Sequence, residues 1–456
     1  MTSVRDHLKA LTRLAVPVAA SQLASMFLMV VDLLMLGRVS VHALDAAALG
    51  RVWVLGTLVF GMGLLLGLDP VATQAWGAGD RTRFRRTLGT GLVCAGWISV
   101  PVSLLWLATG PVLEACGQSP ELAADAARYA WVQIPGLPFF FAFFVVKQVL
   151  QAKGSVWPAM WITFAANLFN AAVNWVLIFG HLGFPPLGVV GAGIATSLTH
   201  VFLFAALAFW TRRELPNLRW GATLRRGAQS APQREIVRYG WPVAIQLALE
   251  MWTFQITTLL AGRLGAVPLA AHTVAITCAS LTFMLPLGVS LAAVVRVGNL
   301  VGAGKPGDAR RAAWVSFATG GGLMVLSGIG FWLWRFELPT WFTPDPDVVA
   351  LAATILPIAA AFQMFDGVQV VGGGVLRGMG QTLPAALFNL LGFYGLALPL
   401  GWWLGFELGL GVRGLWWGLA SGLATVAVLL VGYVWRHGPG ASGHRDIGTS
   451  RVGLEE

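Results

Sequence analysis

Three carboxylates stand where a carboxylate is costly. Asp32 lies within Phe27–Met35, Glu250 within Ala244–Trp252 and Asp366 within Ala361–Gly367, and each is flanked by apolar residues with no basic residue within a helical turn. An ionisable side chain at bilayer depth costs about 2.5–3.5 kcal/mol or more, so each is a candidate for function. A desolvated carboxylate favours its protonated form unless a cation neutralises it. Such a group can therefore take H⁺, Na⁺ or an organic cation, and the three compete for one charge. Helical spacing supplies neighbours: Gln246 precedes Glu250 by four residues, Gln363 precedes Asp366 by three, and Asn170 and Asn174 are themselves four apart. Residues three or four apart share a helix face, although buried amides also serve simply to bridge helices. Thr253 and Thr257 offer hydroxyl oxygens near Glu250, and Arg51 is within reach of Asp32. Asp69, before Pro70, reads as a residue that reaches the water at the end of its helix, and His272 as an interfacial hydrogen-bonding residue.

The elements that must hold these groups are legible from composition. Of the 456 residues, 57% are hydrophobic and only 11% charged, and mean hydropathy is +0.72. A soluble domain carries roughly 25% charged residues. Apolar runs fall near 14–36, 46–70, 88–110, 124–150, 157–179, 188–210, 236–262, 268–292, 312–334, 349–375, 383–405 and 411–435. Each is about the 20 residues that a membrane helix needs. The expected fold is an all-α polytopic membrane protein with twelve transmembrane helices.

Charge sets the orientation and excludes other classes. The net charge of +10 comes from arginines clustered in alternate loops: Arg81, Arg83, Arg85 and Arg86, then Arg212 through Arg234, then Lys305, Arg310 and Arg311. The other loops are acidic or basic-poor, with Glu114, Glu121 and Asp125, then Glu337, Asp345 and Asp347. This is the positive-inside pattern, not a nucleic-acid surface, and it places both termini in the cytoplasm of a plasma membrane, a bacterial inner membrane. Cys94, Cys116 and Cys278 have no metal or disulfide spacing. No GxxxxGK[ST], HExxH or GxSxG is present, so ATP-driven pumping and hydrolytic chemistry have no signature here. No enzyme and no cofactor is expected.

The chain also repeats at an offset of 225. Pro17 recurs as Pro242, Gly37-Arg38 as Gly262-Arg263, Gly63 as Gly288, Gly77-Ala78-Gly79 as Gly302-Ala303-Gly304, and Arg85-Arg86 as Arg310-Arg311. Two six-helix lobes follow, 1–211 and 236–437, joined by a basic linker at 212–235 and followed by a polar tail at 438–456. An even number of helices per lobe makes the repeats parallel, related by a pseudo-two-fold axis along the membrane normal. Transporters with a site between two bundles are built this way.

These residues resemble the multidrug and toxic compound extrusion (MATE) family, in its NorM-type branch. The likeness rests on Val31-Asp32 with Leu36-Gly37-Arg38, on Leu249-Glu250, Ala271-His272 and Phe283–Leu287, on Arg296-Val297-Gly298, and on Phe365–Val371 with Leu376-Arg377-Gly378. Asn170 to Asn174 and Leu187–Thr196 match the fifth and sixth spans. The resemblance implies an antiporter that expels organic, often cationic, drugs in exchange for Na⁺ or H⁺ by alternating access, acting as a monomer among membrane lipids. It implies that Asp32, Glu250 and Asp366 couple the cation and bind substrate, with Glu250 and Asp366 as Na⁺ ligands and Gln246, Gln363, Asn170, Asn174, Thr253, Thr277 and His272 in support. Thr277 departs from the asparagine of the NorM pattern, and asparagines stand in span five where the DinF-like branch has an acid. The alternative is a lipid-linked oligosaccharide flippase of the same wider superfamily. A flippase would call for a cationic cavity to hold pyrophosphate, and the candidate residues here are acidic.

Overall fold

Inside hydrocarbon every backbone N–H and C=O must find its partner within the chain, which leaves helices as the solution for a segment of this composition. The computed structural model describes residues 3–216, 218–228 and 230–440, with no strand among them. Twelve helices are long and apolar enough to cross a membrane. They are α1 (Val4–Gly37), α2 (Val41–Gly77), α3 (Arg81–Leu107), α4 (Pro120–Ala152), α5 (Trp157–Phe179), α6 (Gly188–Glu214), α7 (Pro232–Arg263), α8 (Ala266–Gly302), α9 (Pro306–Leu333), α10 (Pro346–Met379), α11 (Thr382–Glu407) and α12 (Val412–His437). All twelve expected spans are present. Most run past the apolar stretch that marks them, because a helix continues into polar turns that hydropathy does not count. The expected tail at 438–456 lies outside the described residues from 441 onward.

Local chemistry explains the ends and breaks. Ser40 caps α2 by accepting from the Ala43 N–H at 3.0 Å, and Asp345 caps α10 through the Asp347 N–H at 2.9 Å. Gly180 and Gly380 close α5 and α10 with φ of +78° and +76°, a region that favours glycine. In α4, Pro135 lies in a 3₁₀ turn at Ile134–Gly136. In α11 the helix widens to π geometry at Leu390–Ala397, just before Pro399, which has no N–H for the carbonyl four residues back.

The chain packs as two compact units. One comprises Leu14–Val71 and Thr82–Ile256, the other Met1–Arg13, Ala72–Arg81 and Thr257–Glu456. By contact, the first of these takes in α7 as far as Ile256. The reason is local: Gly63, Gly67 and Gly240 let α2 and α7 approach so closely that a Cβ on any of them would strike the facing backbone. In the second unit, α11 and α12 form a ladder of small residues. Gly414, Gly418 and Gly422 on α12 seat against Leu404-Gly405, Gly401 and Ala397 on α11, at the four-residue spacing that brings membrane helices into close contact.

The repeat is visible in a second crossing within that unit. Gly77 packs against the backbone of Asn299, and Gly302 packs against the backbone of Gln74. Asn299 lies 225 residues beyond Gln74, and Gly302 lies 225 beyond Gly77. The two contacts are therefore images of one another under the sequence repeat. Thr73 meets Gly298, its own equivalent, so that pair sits on the local two-fold. Gln74 Nε2 adds a bond to the Gly378 carbonyl at 3.1 Å.

Overpacking a tight contact costs about 1–3 kcal/mol. Gly77→Ala and Gly302→Ala should each lower thermal stability in detergent by that order. Gly96→Ala and Gly322→Ala, whose added Cβ meets nothing within 4 Å, should leave it unchanged. Equal effects at all four positions would contradict the symmetric crossing.

Candidate functional site

Asp32 sits near the end of α1 and is buried. Its carboxylate is held from 142 residues away: Asn174 Nδ2 donates to Asp32 Oδ1 at 2.5 Å. The same amide nitrogen donates to Asn170 Oδ1 at 2.9 Å, and Asn170 Nδ2 donates to Thr199 Oγ1 at 3.2 Å. The four-residue spacing puts both asparagines on one face of α5, between α1 and α6. Both amide hydrogens of Asn174 are thereby used, and its Oδ1 is left without a donor. The Arg51 guanidinium and the Tyr129 hydroxyl lie within electrostatic range of the carboxylate.

In the other unit, Asp366 is buried on α10, one turn beyond the fully buried Gln363. Gln363 Nε2 donates to Thr282 Oγ1 on α8, and Gln363 Oε1 has no donor. Phe362 on the same turn packs edge-on to Trp416, with ring centroids 5.6 Å apart. Trp416 in turn lies 5.8 Å from the ring of His272, whose Nε2 is 3.0 Å from Thr258 Oγ1. His272 is completely buried, so it is a core residue of this aromatic cluster and not the interfacial one its position suggested.

Glu250 is partly exposed on α7 in the unit that contains Asp32, with Gln246 buried one turn before it. Thr253 and Thr257 are buried on the following turns. Two hydroxyls expected near the acids are turned into their own helices: Thr253 Oγ1 donates to the Leu249 carbonyl and Thr277 Oγ1 to the Thr273 carbonyl, at 2.8 and 2.7 Å. The structure thus joins Asp32 to Asn174 and Asn170, and ties Gln363 to α8.

Asp69 requires a correction. It does not reach water: it is buried, and Gln148 Nε2 on α4 donates to its Oδ1 at 2.7 Å. Thr199, Thr282 and Gln148 are the polar partners that the sequence did not single out. Only a contact across helices distinguishes each of them from any other buried hydroxyl or amide. No group of three or more His, Cys, Asp or Glu able to hold a metal ion occurs among the described residues.

Twelve helices in two repeats, with carboxylates buried among neutral amides, define a multi-pass membrane transporter and not an enzyme. The MatE family profile matches residues 17–176 and 242–403, two stretches that begin 225 residues apart. The chain belongs to the MatE family. It is 37% identical over 439 residues to the probable multidrug resistance protein NorM of Mesorhizobium japonicum, covering 94% of this chain and 93% of that one. It is 35% identical over 440 residues to the multidrug resistance protein NorM of Burkholderia vietnamiensis, covering 95% and 94%. Among solved structures, the eukaryotic MATE transporter AtDTX14 superposes with a TM-score of 0.84 at 25% identity, over 95% of this chain and 96% of that one. A Vibrio cholerae MATE transporter, VcmN, superposes at 0.86 with 19% identity, over 95% and 98%, a likeness of fold.

The Asn174–Asp32 bond can be tested by a double-mutant cycle. A hydrogen bond to a buried charge is worth about 1.5–3 kcal/mol. Asn174→Leu should cost that order of stability in the native background and much less in the Asp32→Leu background. Costs that add within about 0.5 kcal/mol would show the two residues to be independent.

Proposed function

We propose that this transporter is a secondary antiporter that exports organic, often cationic, compounds in exchange for Na⁺ or H⁺, with Na⁺ the favoured ion. The observation that carries the reading is the environment of the buried acids. Asp32 is held by the neutral amide of Asn174, and Gln363 stands one turn from Asp366 with an open amide oxygen. A neutral donor steadies a carboxylate without cancelling its charge, so a cation arriving at the site is still attracted. The relatives named multidrug resistance proteins supply the substrate class. The lobes 1–211 and 236–437 are the bodies that alternate access, joined by 212–235.

Magnitudes constrain the stoichiometry. One-for-one exchange of monovalent cations moves no net charge, so only the chemical gradient drives it. Two coupling ions per drug cation move one charge inward, worth about 2.3 kcal/mol per 100 mV. A tenfold drug gradient costs about 1.4 kcal/mol, so two ions sustain more than one decade. Na⁺ is favoured because the oxygens near the acids are amide as well as carboxylate. Gln363 Oε1 and Asn174 Oδ1 both lack donors, and a proton site would have no use for them.

Ion and residues are tested together in proteoliposomes at constant pH. An inward Na⁺ gradient should drive efflux of ethidium or norfloxacin, and Asp366→Asn and Glu250→Gln should abolish the Na⁺ dependence at matched expression. Efflux that ignores Na⁺ and follows a pH gradient would make the acids proton carriers. Wild-type coupling in both variants would remove them from the mechanism.

The chain is further proposed to sit in the bacterial inner membrane as a monomer, with both termini cytoplasmic. Cys116 is exposed on the basic-poor loop after α3, whereas Cys94 and Cys278 are buried. A membrane-impermeant maleimide applied to intact spheroplasts should label the native protein at Cys116 and fail on Cys116→Ser. Lys305→Cys in that background should label only after permeabilisation. The reverse pattern would invert the topology.

A further inference from the structure

Lys147 is a charge that the antiport reading does not use. It stands in the run Leu137–Ala152, otherwise apolar apart from Gln148 and Gln151, five residues before the helix end. A lysine there would ordinarily extend its stem and place the ammonium in water. Instead its Nζ turns to Gln22 Oε1 on α1, at 3.3 Å. None of the described ion pairs involves it: the nearby Lys153 holds Glu214 at 2.5 Å, and Glu214 also receives the Ser155 hydroxyl at 3.1 Å. A lone neutral amide does not neutralise an ammonium drawn partly out of water.

Beside Lys147 is a small pocket among α1, α4 and the start of α5. Ser21, Lys147, Gln151 and Ser155 provide its polar lining, and Pro17 and Ala159 are among the apolar residues. The space admits a single water-sized sphere. Ser21 shares a 3.3 Å hydrogen bond with Thr163, and Gln151 is buried with no hydrogen bond to another described side chain. Trp157 and Trp161 are exposed on the first turns of α5, the segment whose Val156 and Ala159 line the pocket. Exposed tryptophans of membrane helices mark the headgroup level. The pocket therefore combines a partly buried ammonium, an uncommitted amide and room for one small atom, on a helix start whose exposed tryptophans mark the headgroup level.

We propose that this pocket is an anion site, in which Lys147 and Gln151 hold one small, hard acceptor atom: a chloride ion or a single phosphate oxygen of an anionic phospholipid. Basic pockets between membrane helices at this depth bind anionic headgroups, and chloride offers the same charge and size. Because the pocket lining includes none of Asp32, Glu250 and Asp366, the proposal is independent of the coupling mechanism.

The test uses the full-length protein in micelles at constant Na⁺, with thermal stability and native mass spectrometry as readouts. Phosphatidylglycerol is compared with phosphatidylcholine, and chloride with gluconate. The wild type should be stabilised by phosphatidylglycerol, by chloride, or by both, and the active arm identifies the source. A retained phosphatidylglycerol in the mass spectrum marks a lipid, and a chloride response in phosphatidylcholine marks the free ion. Lys147→Met should weaken the response at least about tenfold, the worth of one charge-assisted hydrogen bond, and Lys147→Arg should preserve it. If Lys147→Met fails to fold, Gln151→Leu, which removes a donor and no charge, must weaken the response in its place. A wild type that responds to neither anion overturns the proposal, as does a Lys147→Met protein, or in its place a Gln151→Leu protein, that responds as the wild type does.

Discussion

A carboxylate carried below the membrane surface must be neutralised, bonded or solvated, and much of this structure is arranged around that requirement. At Asp32 the answer is a relay of neutral donors: Asn174, then Asn170, then Thr199, three helices joined through side chains. Asp69 takes the same solution from Gln148, and Gln363 extends it to α8 beside Asp366. Each amide tethers a helix as well as a charge. Removing one would loosen the packing and expose the acid together.

Close approach of the helices is the second condition, because an amide spans only a short distance between backbones. Glycine supplies it where lipid cannot. The α11–α12 ladder and the paired seats of Gly77 and Gly302 bring backbones to distances that any side chain would prevent. Within a bilayer no hydrophobic force draws helices together, so van der Waals contact at small residues carries much of the association. Of the glycines repeated at an offset of 225, Gly77 and Gly302 are packing devices whereas Gly79 and Gly304 serve turns with positive φ, and the Gly372–Gly374 run on α10 belongs with the former: Gly372 lies against Leu430 and Gly374 against Ser290.

How far the sequence discloses this depends on the range of each signal. Twelve spans were legible because hydropathy is a local sum over about twenty residues. The repeat was legible because identical residues recur at a constant offset, and the acids because nothing near them is charged. The partner of Asp32 was not, since Asn174 carries no mark of facing α1 rather than lipid. Nor could spacing alone show that the Thr253 and Thr277 hydroxyls turn back on their own helices, a choice made between a carbonyl one turn away and a distant carboxylate. Asp69 misled for a related reason. Its place before Pro70 suggested a helix end, but α2 resumes after a break at Leu66–Gly67 and carries the carboxylate inward to Gln148.

At Asp32 the direct hydrogen bond comes from a neutral amide, which has a consequence for the proposed exchange. A salt bridge would supply a resident cation, and an incoming Na⁺ or drug would first have to displace it. An amide imposes no such competition, yet it keeps the empty carboxylate from collapsing onto a neighbouring helix. Asp32 is the instructive case, because Arg51 lies within electrostatic range while the direct bond is to Asn174. Partial compensation of this kind lowers the affinity for a cation without abolishing it. A transporter needs that intermediate value, since a site that held its ion as tightly as a buried salt bridge would load once and never release.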